Sequence, residues 1–257
     1  MKHGFMSHNE GQIYYEATGS GEPVVFVHGF TLDHSMWQPQ VDHFGSDYNV
    51  VTYDARGFGQ SSLPDAPYSH ADDLNALLEH QSIEQAHIVG LSLGGRIATN
   101  FALTYPERVR SLTLMAAALD GYRNEVDWNV HAQDEGLEQA RENWLQHELF
   151  DYTQHSPDVV KALRKIVENY SGWHWLHEDP HSPANTHARD RLHEITQPAL
   201  VVIGESDLQY FQNISDVLAS GIPGAQKARI PEAGHMVNME APDQVNRLLG
   251  NFLMKIP

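Results

Sequence analysis

A serine lies between glycines at residues 90–95, which read GLSLGG and directly follow the apolar run AHIV at residues 86–89. This layout predicts a sharp turn between a strand and a helix, in which a strained backbone lifts the hydroxyl of Ser92 above a sheet. Side chains two residues before and after the serine would collide in such a turn. Gly90 and Gly94 avoid that collision, so the pattern predicts that Ser92 is a nucleophile.

A serine hydroxyl is a weak nucleophile and needs a base within hydrogen-bonding reach. His235 is the predicted base, because an imidazole titrates in the right range and this one lies in a turn before the last predicted helix. A carboxylate must hold the other imidazole nitrogen. Asp207 is the predicted acid, because it follows the apolar run at residues 199–203 and lies three residues past Gly204.

Attack on an acyl carbon places negative charge on oxygen, and backbone N–H groups near the serine would have to bind that charge. The apolar run PVVFV at residues 23–27 ends in His28-Gly29-Phe30, upstream of the serine, and Leu93 follows the serine directly. The amides of Phe30 and Leu93 are therefore the predicted oxyanion donors. Serine, then acid, then histidine is one of three unrelated chain orders found for such triads.

These segments, together with DARGFGQS at residues 54–61, resemble the α/β-hydrolase superfamily. The resemblance covers residues 12–115 and 195–252 and is closest to the serine-nucleophile branch of small carboxylesterases and 3-oxoadipate enol-lactonases. It implies an α/β-hydrolase fold, with a mostly parallel eight-stranded sheet, flanking helices and a helical cap inserted after the sixth strand. Glu205, in the same loop as Asp207, and Asp120, where some members carry the acid, stay open as alternative acids.

The residue pattern itself also predicts an α/β fold. Apolar runs predict an opening hairpin over residues 4–8 and 12–17 and further strands over 24–27, 50–53, 88–91, 112–115, 200–203 and 228–230. Amphipathic stretches predict helices over residues 36–44, 72–80, 93–104, 211–219 and 242–253. This alternation indicates a mostly parallel sheet that binds ligands beyond the carboxyl ends of its strands, where the predicted site residues lie.

The strand pattern stops between residues 121 and 190, and strong helix formers concentrate at residues 135–150 and 158–169. We therefore expect a hydrolase core made of residues 1–120 and 191–257, with residues 121–190 forming a helical cap over the serine. The large side chains expected in the substrate pocket are Trp37, Trp128, Trp144, Trp173 and Met236.

The chain carries 34 acidic against 16 basic residues, a formal net charge of −18 with neutral histidines. Such a surface repels phosphate backbones, which argues against a nucleic-acid partner. There is no run of 18 apolar residues, which argues against a membrane span, and the first residues lack the apolar region of a secretory signal. We therefore expect a cytoplasmic location and a small-molecule partner, while the oligomeric state stays unpredicted.

Five histidines crowd one part of the predicted cap, at positions 174, 177, 181, 187 and 193. Their spacing matches no closed metal-binding motif, so no metal is expected there. The chain has no cysteine, which removes thiolate ligands and a cysteine nucleophile. The predicted reaction also needs no organic cofactor.

The predicted function is hydrolysis of a small carboxylic ester or lactone through an acyl-serine intermediate. The superfamily resemblance leaves alternatives open on the same triad: a C–C bond hydrolase, or an elimination enzyme similar to the menaquinone-pathway synthase, which uses an arginine where this chain has Arg96. A ligand-sensing protein with a slow triad, similar to the plant strigolactone and karrikin receptors, is the alternative from another class. Relatives with an aspartate nucleophile, the haloalkane dehalogenases and epoxide hydrolases, are disfavoured by Ser92.

Overall fold

An eight-stranded sheet forms the centre of the molecule. The computed structural model describes residues 2–123, 126, 128, 130–182 and 187–256. The strands are β1 (Lys2–His8), β2 (Gly11–Thr18), β3 (Glu22–Val27), β4 (Tyr48–Tyr53), β5 (Ala86–Leu91), β6 (Val109–Met115), β7 (Ala199–Gly204) and β8 (Gln226–Ile230). Their order across the sheet is β1-β2-β4-β3-β5-β6-β7-β8. The β1–β2 and β2–β4 pairs are antiparallel and the other pairs are parallel, which confirms the predicted sheet.

Burial along the strands follows from their places in the sheet. β5 and β7 are buried at every position, as expected for parallel strands that are covered on both faces. β1 lies at the edge of the sheet and exposes most of its residues. The strands that precede Phe30, Ser92 and Asp207, which are β3, β5 and β7, are therefore largely buried, whereas β8, which precedes His235, is the other edge strand.

Helices connect and flank the strands. They are α1 (Gln38–Phe44), α2 (His70–His80), α3 (Leu93–Thr104), α4 (Ala132–Glu135), α5 (Leu137–Leu145), α6 (Pro157–Asn169), α7 (Trp173–Leu176), α8 (Ala188–Arg191), α9 (Gln209–Gly221), α10 (Val237–Glu240) and α11 (Pro242–Leu253). α3 and α11 have the predicted bounds, while α2 and α9 begin two residues earlier than predicted. The predicted helix over 36–44 is divided into a 3-10 turn, His34–Trp37, and α1.

The chain between β6 and β7 carries α4 to α8, and we call residues 132–191 the helical segment. The helix-forming composition of residues 135–150 suggested a single helix, but the structure divides this stretch. Gly136 has a φ of +82° and separates α4 from α5, and a 3-10 turn, Glu148–Phe150, follows α5. The helix expected at 158–169 is present as α6.

The helical segment shares its hydrophobic core with the sheet. Trp144, Phe150, Leu163 and Val167 belong to the same buried cluster as the side chains of β3, β5 and β7. The ring of Tyr170 also stacks on Phe58, which lies between β4 and α2, with ring centroids 5.6 Å apart. None of the described helices combines the length and the apolar character needed to cross a membrane.

Candidate active site

Ser92 lies at the turn between β5 and α3 with φ +55° and ψ −115°, a strained conformation for a residue other than glycine. The neighbouring glycines allow the turn to close. A Cβ atom on Gly90 would lie 2.2 Å from the carbonyl oxygen of Gly94, and one on Gly94 would lie 2.0 Å from that of Val27. The Ser92 amide donates to the Met115 carbonyl at 3.0 Å, so β6 supports the strained residue from the side.

His235 and Asp207 are joined by hydrogen bonds. His235 Nδ1 lies 3.1 and 3.0 Å from the two Asp207 carboxylate oxygens, and both side chains are buried. A proton on Nδ1 makes these contacts donor to acceptor, which leaves Nε2 free to accept a proton. His235 Nε2 is buried, has no hydrogen-bond partner among the described residues, and belongs to a residue that lines the same cavity as Ser92.

The loops after β7 and β8 bring this pair together. Asp207 follows β7, and its Oδ1 also accepts the Leu208 amide at 2.7 Å, which fixes the carboxylate plane. The His235 ring packs against Phe211 of α9 with centroids 4.2 Å apart. Of the alternative acids, Glu205 is exposed. Asp120 lies at the cavity wall, and the carboxylate that contacts His235 is that of Asp207.

Two backbone amides flank the serine. Leu93 is the first residue of α3, so its N–H has no acceptor within the helix. Phe30 follows β3, and both residues line the cavity beside Ser92. Helix α3 also directs the positive end of its dipole toward this position. The arrangement can bind a negative charge that develops next to the Ser92 hydroxyl.

His28 has a supporting role in this loop. Its Nδ1 donates to the Gly29 carbonyl at 2.7 Å, and its Nε2 accepts the Ala55 amide at 2.9 Å. Burial lowers the pKa of His28, so the ring is neutral and forms both hydrogen bonds. The Gly29 carbonyl belongs to the same peptide group as the Phe30 N–H, so His28 orients that amide.

The DARG turn also supports the site from outside the cavity. Asp54 is buried and accepts hydrogen bonds from the His34 amide, the His34 ring and the Gln60 amide. Arg56 forms a buried two-pronged ion pair with Asp73, at 2.9 and 2.7 Å. Because the charged groups of Asp54 and Arg56 already have these hydrogen-bond partners, we assign the turn a structural role.

The cavity above Ser92 has a volume of about 540 Å³. Three of the predicted pocket residues, Trp128, Trp144 and Met236, lie on its wall. The predictions that Trp37 and Trp173 line the pocket were wrong. Trp37 is fully buried in the core against Phe26, because the 3-10 turn directs it inward, and Trp173 stacks on His177.

Sequence reasoning missed other parts of the cavity wall. Tyr210 and Phe211 line it from α9, and their position directly after the predicted acid was the signal that could have found them. The titratable side chains on this wall include Arg96, Asp120 and His174. Burial lowers the pKa of His174 to about 4, so the ring is neutral and Arg96 is the cation among the described residues of this wall.

Comparison with known proteins agrees with the fold. The family model described as alpha/beta hydrolase fold matches residues 22–242. The chain belongs to the alpha/beta hydrolase family. This alpha/beta hydrolase is 31% identical over 270 residues to a 2-hydroxy-6-oxononadienedioate/2-hydroxy-6-oxononatrienedioate hydrolase of Paraburkholderia phymatum, covering 95% of this chain and 91% of that protein.

Two solved structures have a similar fold. A thermophilic esterase from Thermogutta terrifontis matches with a TM-score of 0.83 and 26% identity, covering 100% of this alpha/beta hydrolase and 99% of that chain. The enol-lactonase from Burkholderia xenovorans matches with a TM-score of 0.83 and 26% identity, covering 98% and 100%. The superfamily resemblance predicted from the elbow and its partner segments is therefore confirmed.

Proposed function

We propose that this alpha/beta hydrolase cleaves small carboxylic esters or lactones through an acyl-serine intermediate on Ser92. The observation that carries the proposal is the His235–Asp207 pair: the carboxylate holds Nδ1, and the buried Nε2 has no partner among the described residues. His235 lines the same cavity as Ser92, which lies on a strained turn. The similar esterase and enol-lactonase structures support this substrate class.

Each group then has a defined part in the reaction. Ser92 Oγ attacks the acyl carbon while His235 Nε2 takes the hydroxyl proton, and Asp207 stabilises the resulting imidazolium. The amides of Phe30 and Leu93 bind the oxyanion of the tetrahedral intermediate. His235 returns the proton to the leaving alcohol oxygen. Water then attacks the acyl-serine by the same route, releasing the acid and restoring the serine.

The chain between β6 and β7 acts in this proposal as a cap, with residues 121–190 over a core of residues 1–120 and 191–257. Trp144, His174 and Trp175 of the helical segment all line the cavity together with Ser92. Aromatic side chains on this wall exclude water and favour a substrate with an apolar acyl or alcohol group. Access to Ser92 would then depend on how the helical segment lies over the sheet.

The decisive experiment compares p-nitrophenyl acetate and butyrate hydrolysis by the wild type, Ser92→Ala and the control Ser220→Ala. Ser220 is an exposed residue of α9 whose hydroxyl donates to the Asp216 and Val217 carbonyls of its own helix. We expect Ser92→Ala to lose roughly 10³-fold or more in kcat, and Ser220→Ala to match the wild type. Mass spectrometry after treatment with a fluorophosphonate should find the label on Ser92. Equal rates in the first two proteins would refute the proposal.

Arg96 favours a second candidate, cleavage of a C–C bond or an elimination in a substrate that carries a carboxylate. Arg96 lines the cavity, and no carboxylate lies within ion-pair distance of it among the described residues. The relative from Paraburkholderia phymatum is by name a hydrolase of a dioate. If this candidate is correct, Arg96→Leu raises KM for a carboxylate-bearing 1,5-diketone and leaves KM for p-nitrophenyl butyrate unchanged. An equal effect on both substrates would exclude it.

A further inference from the structure

Two hydrogen-bonded contacts from the helical segment end on the loops that carry Phe30 and His235. Trp144 Nε1 donates to Thr31 Oγ1 at 2.8 Å. Thr153 donates to Glu240 Oε1 at 2.5 Å, and Glu240 Oε2 accepts the Gly234 amide at 2.6 Å. We propose that these contacts hold both loops in their reactive conformations. Thr31 and Glu240 are then positioning residues, and this inference rests on the proposed function.

Thr31 has a conformation that needs support. The Leu32 amide donates to the Gly29 carbonyl at 3.3 Å, which closes a four-residue turn, and Thr31 occupies the third position with φ +62°. Glycine is usual at such a position, and a β-branched residue there is a rare exception. Thr31 is also fully buried. A strained buried residue persists only where its surroundings hold it, and such residues concentrate at functional sites.

The Thr31 hydroxyl is the junction between the helical segment and the oxyanion loop. It donates to the Phe30 carbonyl at 2.6 Å and accepts from Trp144 at 2.8 Å, so its single proton is already used. Phe30 is therefore held on both sides. His28 fixes the peptide group that carries its N–H, while Thr31 fixes the next one, and only the second of these contacts involves the helical segment.

Glu240 makes the corresponding contact at the histidine loop. Its carboxylate binds the amide of Gly234, the residue before His235, and also binds Thr153, which is fully buried. A Cβ atom on Gly234 would lie 2.6 Å from the Tyr152 Cβ, so the helical segment approaches this loop closely. Burial raises the pKa of Glu240, and the side chain does not line the cavity. Its contacts serve the loop rather than the substrate.

A purely structural role predicts a different result from a positioning role. If the two contacts only stabilise the fold, their loss lowers the melting temperature and leaves the rate of the folded enzyme unchanged. If they position the oxyanion loop and the histidine loop, their loss lowers kcat with little change in KM, because the transition state depends on the geometry more than the bound ester does. Binding of a boronic acid, which forms a tetrahedral adduct with the serine, should weaken in parallel.

The first test compares Thr31→Val with Thr31→Ser and the control Tyr68→Phe, using p-nitrophenyl butyrate and butylboronic acid. Valine keeps the branched shape and removes the hydroxyl, whereas serine keeps the hydroxyl. Tyr68→Phe also removes a hydroxyl that contacts the helical segment, at Asp179, but its hydrogen bonds go to Asp179 and His70 and not to either loop. We expect kcat to fall about 10- to 100-fold in Thr31→Val only, since misplaced groups cost this much. Inhibition by butylboronic acid should weaken by a similar factor.

The second test covers the other ends of the contacts and remains informative where Thr31→Val does not fold. Trp144→Phe removes the donor to Thr31, and Thr153→Val removes the donor to Glu240. Both should lower kcat and weaken inhibition by butylboronic acid, whereas Glu240→Gln should retain most activity because an amide can form both hydrogen bonds. Hydrogen exchange should also speed up at Gly234 in Thr153→Val.

The results separate this inference from the proposed function. The positioning role alone would be refuted by two results together. The first is an active wild type that loses its activity in Ser92→Ala. The second is that kcat and boronic acid inhibition in Thr31→Val, Trp144→Phe and Thr153→Val stay within about 2-fold of Tyr68→Phe. A wild type that neither hydrolyses esters nor binds the boronic acid would refute both. The inference is supported if kcat is lower in those three variants and is retained in Thr31→Ser and Glu240→Gln.

Discussion

The sheet and the helical segment contribute to the candidate site in different ways. Ser92, Asp207 and His235 follow strands of the sheet, and close backbone contacts between neighbouring strands and loops hold them. The helical segment supplies aromatic cavity wall and two side-chain contacts to the loops of the site. The proposed reactive groups therefore follow strands of the sheet, and the proposed substrate-facing wall combines residues of the core with side chains of the helical segment. Under the proposed function, a change elsewhere in the wall would change selectivity, whereas loss of either loop contact would also change the rate.

The largest expected effect tests the sheet side of this comparison. Asp207→Asn keeps the shape of the acid but cannot hold the proton on His235 Nδ1 in the same tautomer. We expect kcat for p-nitrophenyl butyrate to fall roughly 10⁴-fold, as the same change does in a serine-protease triad. Glu205→Gln, an exposed change in the same loop, should leave kcat unchanged. A larger loss in Glu205→Gln or Asp120→Asn than in Asp207→Asn would move the acid elsewhere.

Glycines in the two regions should differ in their tolerance of a methyl group. A Cβ atom at Gly94 would lie 2.0 Å from the Val27 carbonyl oxygen, whereas one at Gly136, between α4 and α5, meets nothing within 4 Å. We expect Gly94→Ala to lower the free energy of unfolding by about 3 kcal/mol or more, because the backbone of β3 cannot move aside. Gly136→Ala should cost less, about 1–3 kcal/mol, because its φ of +82° and ψ of 160° strain a residue other than glycine but no packing clash is added.

Urea unfolding, followed by circular dichroism, measures both changes. Similar losses in Gly94→Ala and Gly136→Ala would mean that the sheet and the helical segment are equally constrained, which would contradict the comparison.

The same difference explains what could be predicted from the sequence. The strands, α3 and the Ser92 turn were predictable because local signals define them: apolar runs, and glycines at positions where a Cβ cannot fit. The contact of Trp144 with Thr31 was not, because the two residues are 113 positions apart and no local pattern links them. Composition also did not reveal that Gly136 ends a helix within residues 135–150, since helix formers lie on both sides of it.

Trp37 illustrates the limit at the level of a single side chain. Its position after the oxyanion loop suggested the pocket, but the 3-10 turn directs the ring into the core, against Phe26. Residue type indicates that a large apolar group will be buried. Whether the ring faces a cavity or the core depends on the orientation of one short turn, which the sequence does not specify.

The smallest expected effect is a change in how the free energy of unfolding depends on pH, through a contact between the helical segment and the core. His174 stacks on Phe58 with ring centroids 4.4 Å apart, and burial lowers its pKa to about 4. Between that value and an ordinary histidine pKa of ~6.5, the unfolded chain binds a proton that the folded protein does not. The stability contributed by neutral His174 is therefore complete above this window and is lost as the pH falls through it, by up to about 1.4 kcal/mol per pH unit.

His174→Phe should keep the stacking and remove this titration. We expect the free energy of unfolding, from urea titrations at pH 7, 6 and 5, to fall less steeply with acid in His174→Phe than in the wild type. His28 and His70 are also buried with lowered pKa values, so part of the slope should remain. Identical slopes in the two proteins would show that His174 does not link the helical segment to the core in a proton-dependent way. The stack on Phe58 would then be a packing contact alone.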